Sequence, residues 1–453
     1  MLGQDAAMMY PLRLRGKELN EDDEGRRARY MRYLDFYKGN QWTNIVPERA
    51  GQRRLTANYA RAFIKKGASF LLGAGVRYEC YDPLAQAALE RLCSENSFDL
   101  LDYEAATDCA VLGDGAFKVT LRQDGSVRVR SADVLNLSCE WAGDDMRRLL
   151  RVTERYMLSA EEAFALAGML PLQGAVEVEE AWTEQEFRVR IANDPRLDKV
   201  QPNPYGFIPY VVFPNERRPR MFWGDSDLVD IIELCSEFNV RMSVMSQLLQ
   251  FSGNPVLVLE GVDGSDGRLR VGPGAVWELP PDSRAYLLEL LGQGGLQAHM
   301  DYISALHRAL FDLAEMPHSA FARDVPGGVS GVALEMLLYP LVQKVRRKRQ
   351  IWTEALEKRA RMALRLLGFP ADVAVRVVWA DILPRDRASL VANEIALVGQ
   401  GIHSRATANR LLGTENPEAE AEAALAEMQG GANMRKPLQV SGALVQGLAQ
   451  AAG

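Results

Sequence analysis

The sequence has few groups able to do chemistry. Four histidines, His299, His307, His318 and His403, leave little choice for a general base. Only His299 and His307 share a predicted helix, and at two turns apart they are too distant to ligate one metal together. The five cysteines, Cys80, Cys93, Cys109, Cys139 and Cys235, are scattered and contain no C-x-x-C pair. That spacing excludes a disulfide framework or zinc knuckle, and the thiols are expected as small buried hydrophobes. No window approaches the roughly eighteen apolar residues of a membrane span, and the N-terminus lacks a basic-then-apolar signal, so no membrane is expected and assembly is placed in the cytoplasm. A phosphate loop, H-E-x-x-H, G-x-S-x-G and a strand-linked G-x-G-x-x-G are all missing. The near misses Gly73-Ala74-Gly75 and Gly113-Asp114-Gly115 lack the third glycine. The adjacent acids Asp22-Asp23 and Asp144-Asp145 point apart on a helix and nominate no two-metal site. The expectation is therefore a non-enzyme with no cofactor and no metal. A formal net charge of -7 argues against a surface that grips nucleic acid everywhere, while leaving room for a local basic patch.

What is present is a chain of 453 residues, 47% hydrophobic and 25% charged, long enough for two or three cores. Its longest helical reading runs from Val329 to Gly368. Ser330 is a plausible N-cap and Glu335 lies near the positive end. Leu334, Leu337, Leu338, Leu341, Val342 and Val345, then Ile351, Trp352, Leu356, Ala363, Leu364 and Leu367, lay an apolar stripe along it. Gly368 and Pro370 end it. Such a helix would span roughly 55 to 60 Å. Pro340 removes one backbone donor and predicts a kink. Beyond it, Lys344, Arg346, Arg347, Lys348 and Arg349 crowd around Val345, read either as a solvated face or as a surface for phosphate or an acidic neighbour.

Before this helix the chain changes character twice. Helices are predicted over Asp22 to Tyr37, Thr56 to Leu72, Pro83 to Asn96 and Leu100 to Leu112, with a strand at Val76 to Tyr81. In the first helix, Tyr30, Tyr33, Leu34 and Tyr37 among arginines read as a packing face or as a stacking surface for nucleic acid. Short strands follow: Ala116 to Arg122 and Val127 to Arg130 joined by Asp124-Gly125, then Leu149 to Met157, Val176 to Thr183, Glu186 to Ile191 and Phe207 to Phe213. Helices packed on an antiparallel sheet make the class α+β. Gly224-Asp225-Ser226-Asp227-Leu228 reads as a capped start to a helix of about seven turns striped by Leu228, Ile231, Cys235, Phe238 and Met242. A Gly- and Asp-rich strand unit follows, with strands at Val256 to Leu259, Arg268 to Val271 and Ala275 to Leu279. A second amphipathic helix carries Leu296, Met300, Ile303, Leu306, Leu310 and Leu313, so the pair forms a hairpin with a knob at its tip. Met316 to Gly328 reads as a flexible loop. Val373 to Trp379 is a strand that must return to the earlier sheet, because alone it has no partner. Helices at Arg387 to Val398, Ala406 to Leu412 and Glu415 to Met428 precede a tail poor in large apolar residues.

Phe36-Tyr37-Lys38-Gly39-Asn40, Ala57-Asn58-Tyr59 leading to Leu71-Leu72-Gly73, Ile208-Pro209 with Phe213-Pro214-Asn215, Gly224-Asp225-Ser226-Asp227-Leu228 and Val329-Ser330-Gly331-Val332-Ala333-Leu334-Glu335 form an ordered series. In order and spacing, from about residue 30 to 428, the series resembles the portal proteins of long non-contractile-tailed bacteriophages of Gram-positive hosts. The resemblance implies a homo-oligomeric ring, usually of twelve subunits, at one capsid vertex of the virion, through which double-stranded DNA is packaged and ejected. It implies these parts: a helix-rich wing with antiparallel sheet (1–224), stem helices (225–254 and 292–316) around a small β clip (255–291), a tunnel loop (317–329), a long kinked helix with a return strand to the wing (330–383), a helical crown (384–428) and a flexible tail (429–453). The partners it implies are the large terminase, head-completion or adaptor proteins, and the major capsid and scaffold proteins. On this reading His318, Arg323 and Asp324 face the channel and touch DNA without reading bases. Asp263, Asp266, Arg268 and Arg270 belong to the docking clip. The run from Lys344 to Arg349 faces acidic surfaces of neighbouring subunits. A prophage or gene-transfer portal shares this architecture. A nucleic-acid-processing enzyme using the arginine-rich segments is disfavoured by the missing acid, base and metal residues.

Overall fold

A computed structural model of the chain describes residues 23–42, 54–73, 75–122, 124–162, 174–192, 194–253, 257–261, 281–287, 295–321, 331–383, 387–414 and 416–432. The chain divides after Ile382 into two units, Met1–Ile382 and Leu383–Gly453. The first unit opens with α1 (Asp23–Lys38), α2 (Tyr59–Leu72), β1 (Val76–Cys80), α3 (Pro83–Glu95) and α4 (Phe98–Leu112). Helix α1 buries Tyr30, Tyr33 and Phe36, so its aromatics form a packing face. Asn58 caps α2 by accepting from the Arg61 N–H, and Asp82 caps α3 ahead of Pro83 at its first turn.

Two antiparallel sheets follow. Strands β2 (Asp114–Leu121) and β3 (Val127–Ser131) form the hairpin read at Asp124-Gly125, and β9 (Tyr210–Pro214) adds to the other side of β2, with Asp114 opposite Pro214. Strands β4 (Leu137–Trp141), β5 (Leu149–Leu158), β6 (Val176–Trp182), β7 (Glu186–Ile191) and β8 (Asp198–Pro202) make a sequential meander. Its two edges, β4 and β8, were not legible as strands. Edge strands need only one hydrogen-bonded neighbour and tolerate short polar sequences, and β8 reads Asp-Lys-Val-Gln-Pro. A buried network joins the two sheets. Lys118 of β2 lies 3.0 Å from Glu154 and 2.5 Å from Glu180, while Tyr210 and Arg130 also donate to Glu154.

Helix α5 (Ile232–Gly253) starts later than the sequence reading. Residues 227–231 are turns, because Asp227 is drawn into the core instead of serving in a helical first turn. Strands β10 (Leu257–Glu260) and β11 (Arg284–Leu287) pair antiparallel, and α6 (Gly295–Leu313) packs back along α5. The expected strands at 268–271 and 275–279 lie outside the described residues. Where a loop was expected, His318–Phe321 form a single 3-10 turn. Helix α7 (Gly331–Leu366) then runs 36 residues, continuous through Pro340, or about 54 Å at 1.5 Å per residue. Its buried face carries Leu341, Val345, Trp352, Leu356, Ala360 and Ala363 into the main core, where Trp352 meets Phe117 and Phe213 edge-on. Strand β12 (Val375–Trp379) does not join the earlier antiparallel sheets as expected but finds its partner in β1, with which it forms a separate two-stranded sheet.

The second unit holds α8 (Arg387–Gly399), α9 (Arg405–Leu412) and α10 (Pro417–Ala432). Ser404 caps α9 through the Thr407 N–H, and His403 Nδ1 lies 2.8 Å from the buried Glu394.

Candidate functional site

Two glycine–aspartate segments a hundred residues apart meet beside the start of α5. Gly113 ends α4 in the left-handed region at φ +103°, and a Cβ there would lie 2.8 Å from the Ser226 nitrogen. Gly224 is tighter, since a Cβ would lie 2.5 Å from Pro214 Cβ and 2.6 Å from the Glu216 carbonyl. Only glycine lets the backbones approach this closely. Asp114 is buried in the contact, accepting from the Gly224 N–H at 2.8 Å and from the Tyr30 hydroxyl. Burial pushes its pKa up to about 7, against the opposing pull of those two bonds. Ser226 donates to the Val111 carbonyl at 2.5 Å and accepts from the Leu228 N–H at 3.0 Å.

The long helix locks this junction. Asn215 donates from its backbone to the Gly113 carbonyl at 2.8 Å, and from its side chain to Asp225 and to Asp227 Oδ1 at 2.9 and 3.1 Å. Lys348 donates to Asn215 Oδ1 at 2.9 Å and to Asp227 Oδ2 at 2.5 Å. Lys344 donates to the Ala314 carbonyl at 3.0 Å and stands 3.6 Å from Asp227. Burial by itself would raise the Asp227 pKa, but Lys344 and Lys348, with the bonds from Lys348 and Asn215, hold it well below the usual carboxylate range. One buried carboxylate thus ties the turn before α5, the end of α6 and the middle of α7 together. Further along, the fully buried Arg359 donates to both oxygens of Asp102 and to the Tyr78 hydroxyl at 2.6 Å, fixing α7 to α4 and β1.

The sequence-derived site residues separate into three groups. Of the cationic run, Lys344 and Lys348 are buried on Asp227. Arg349 donates to the Leu71 and Ala380 carbonyls at 3.0 and 2.7 Å, and Arg347 holds Glu315 at 2.6 and 2.8 Å. Arg346 and Arg347 are the two exposed members. Pro340 sits on the exposed part of the helix beside Met336 and Tyr339. His318 stacks on Phe311 with centroids 4.0 Å apart, next to His307, whose Nε2 lies 3.0 Å from the Tyr59 hydroxyl. Arg323 and Asp324, and Asp263, Asp266, Arg268 and Arg270, lie outside the described residues.

The sequence reading missed Asp114, Arg359 and Arg26, whose guanidinium is fully buried against the Val134 and Leu137 carbonyls. A signal for two of them existed. On the apolar stripe of α7, Lys348 lies four residues before Trp352 and Arg359 seven after it, three beyond Leu356, and Arg26 precedes Tyr30 by one turn. A charge placed on an apolar stripe points to a buried partner elsewhere in the chain.

Among the described residues no cluster of three or more His, Cys, Asp or Glu is arranged to hold a metal, and no helix is long and apolar enough to cross a membrane. The charges at the junction are bonded to backbone and to one another, which makes it a mechanical joint between helices. Comparison with protein families identifies the kind of protein: the model described as "Phage portal protein, SPP1 Gp6-like" matches residues 17–433, and the chain belongs to that family. The family is structural rather than enzymatic, and its members are virion components. Comparison with curated proteins gives no match.

Proposed function

We propose that copies of this chain form a ring, of about a dozen subunits, at one vertex of a phage capsid, and that double-stranded DNA enters and leaves through its centre. The observation that carries this reading is the α5–α6 hairpin with its β10–β11 tip, followed in the same chain by the 36-residue α7, all within the family match. In this reading the first unit up to residue 224 is the wing, α5 and α6 are the stem, 255–291 the clip, 317–329 the tunnel loop and 384–428 the crown. The Asp227–Lys348 joint transmits movement between stem and long helix, and Pro340 gives α7 the bend that brings the loop to the channel axis. Of the loop residues, Arg323 and Asp324 touch the DNA backbone, with His318 at the loop's root. Arg346 is the member of the cationic run available to a neighbouring subunit, Arg347 being held by Glu315 of its own chain. The clip, with Asp263, Asp266, Arg268 and Arg270, docks the terminase during packaging and head-completion proteins afterwards. Capsid and scaffold proteins surround the ring as it assembles in the host cytoplasm.

Electrostatics favours passage over capture. DNA presents a charge about every 1.7 Å, and each phosphate that a wall cation neutralises adds to affinity and to drag. A chain of net charge -7 is suited to a wall that DNA slides along. Mass measurement and negative-stain imaging of the purified protein test the ring directly: closed rings with a central hole are expected, and a monomer with nuclease activity would overturn the reading. For the loop, a ring carrying Arg323→Glu is expected to package DNA more slowly or to a shorter length, and unchanged packaging would remove Arg323 from the channel wall.

A further inference from the structure

Between the β4–β5 turn, residues 211–222 and α7 runs a cleft that the described residues leave open. A cavity of about 80 Å³ at its bottom adjoins a cleft of about 550 Å³, the two sharing Arg147, Arg217, Ile351 and Glu354. Apolar side chains form much of the lining, with Phe222 and Ile351 only partly buried. Three cations, Arg147, Arg217 and Lys358, surround a single carboxylate. Glu354 lies 3.1 Å from Arg217 and 4.0 Å from Arg147, so both guanidiniums already draw on it. Lys358 has no hydrogen bond or ion pair with any described residue. Its pKa is lowered by burial, which the more distant Glu354 only partly opposes. At the far end of the cleft, Arg347 is matched by Glu315 and by Glu216, a second carboxylate of the lining, and Lys348 by Asp227. The deficit of negative charge is therefore local to Arg147, Arg217 and Lys358.

We propose that this cleft receives a carboxylate from a second copy of this chain, bonded by Lys358 and shared with Arg147 and Arg217, with the apolar neighbours of that carboxylate lying on Phe222 and Ile351. The inference rests on the portal reading and names a contact that closes its ring. Ring closure needs a heterologous interface, in which a patch on one copy meets a different patch on the next. A cationic cleft on a chain with seven more acidic than basic residues finds its complement on another copy of the same chain. A nucleic-acid backbone fits less well, because it follows a continuous basic stripe, and this cleft has a carboxylate at its centre and apolar side chains along much of its lining.

Zero-length carbodiimide coupling joins an amine to a carboxylate it touches, and assembling a mixture of light- and heavy-isotope-labelled copies separates contacts between copies from those within one. The expected product links Lys358 to an Asp or Glu of the other copy in mixed-label peptides, and is absent from Lys358→Gln. Lys358→Glu and Arg217→Glu, verified as folded by circular dichroism, are expected to raise the concentration needed for assembly by about tenfold or more. Coupling of Lys358 only to Glu354 of its own chain, or no coupling within intact rings, overturns the proposal. So do variants that assemble normally but bind a duplex oligonucleotide more weakly, which would assign the cleft to nucleic acid. A wild-type chain that never exceeds monomer mass would sink the portal reading together with this contact, whereas normal rings from the charge-reversed variants would sink the contact alone.

Discussion

Asp114 and Asp227 lie in one buried junction and carry opposite protonation behaviour. The Asp114 carboxyl, raised to about 7, keeps its proton in the folded chain where the unfolded chain has lost it at an ordinary aspartate pKa near 3.8. Its contribution to stability is complete below about pH 4 and is lost as pH rises through about 7, a swing on the order of 4 kcal/mol. Asp114→Asn, which keeps an acceptor for the Gly224 N–H, is expected to flatten that decline. In urea unfolding at about pH 5 and pH 8 the two midpoints should converge, and a decline as steep as wild type would assign it to another group. The sign reverses at Asp227, held low by Lys344 and Lys348, whose contribution is present above about pH 4 and lost as pH falls below it. Asp227→Ala strands two buried ammoniums and is expected to cost about 3–5 kcal/mol. Adding Lys344→Met and Lys348→Met should recover a large part of that loss, as measured by the same unfolding midpoints. These partnerships were not legible in sequence, because Asp114, Asp227 and Lys348 belong to segments more than a hundred residues apart and only the fold brings them within bonding distance.

At the level of elements, the apolar stripes of α5, α6 and α7 and the hairpin at Asp124-Gly125 were readable, since helix and strand periods are local properties. The start of α5 was misread. Ser226 does cap a turn, but the Gly224–Asp227 segment follows the tertiary demand for a counter-charge to Lys348 rather than continuing as helix. Its glycine is the sensitive point. Gly224→Ala would drive a methyl group into Pro214 and two backbone carbonyls, at 2.5, 2.6 and 2.7 Å, and backbone cannot move aside as a flexible side chain would. A loss of about 1–3 kcal/mol is expected. Gly143→Ala, with nothing within 4 Å, should change the thermal midpoint little, within about 0.5 kcal/mol. Equal effects at the two sites would contradict the close backbone contact.

For the whole molecule, the portal reading assigns docking to the tip between Glu260 and Arg284, the last register pair of β10 and β11. Removing residues 262–280 should leave the α5–α6 packing and the ring intact while abolishing terminase association in a pull-down, and undiminished association would move docking elsewhere. What the sequence by itself determined was the α+β class, the order of the elements, the helical hairpin with its small β tip, and the family, because each rests on periodicity or on motifs in series along the chain. Only the tertiary structure decided the fate of the charges. A run such as Lys344 to Arg349 looks uniform in one dimension, yet a helix turns successive residues by about 100°. Lys344 and Lys348 are thereby directed to a buried carboxylate, Arg349 to backbone carbonyls, and Arg346 and Arg347 to the surface. Which cation meets which partner depends on what the rest of the chain places opposite each face.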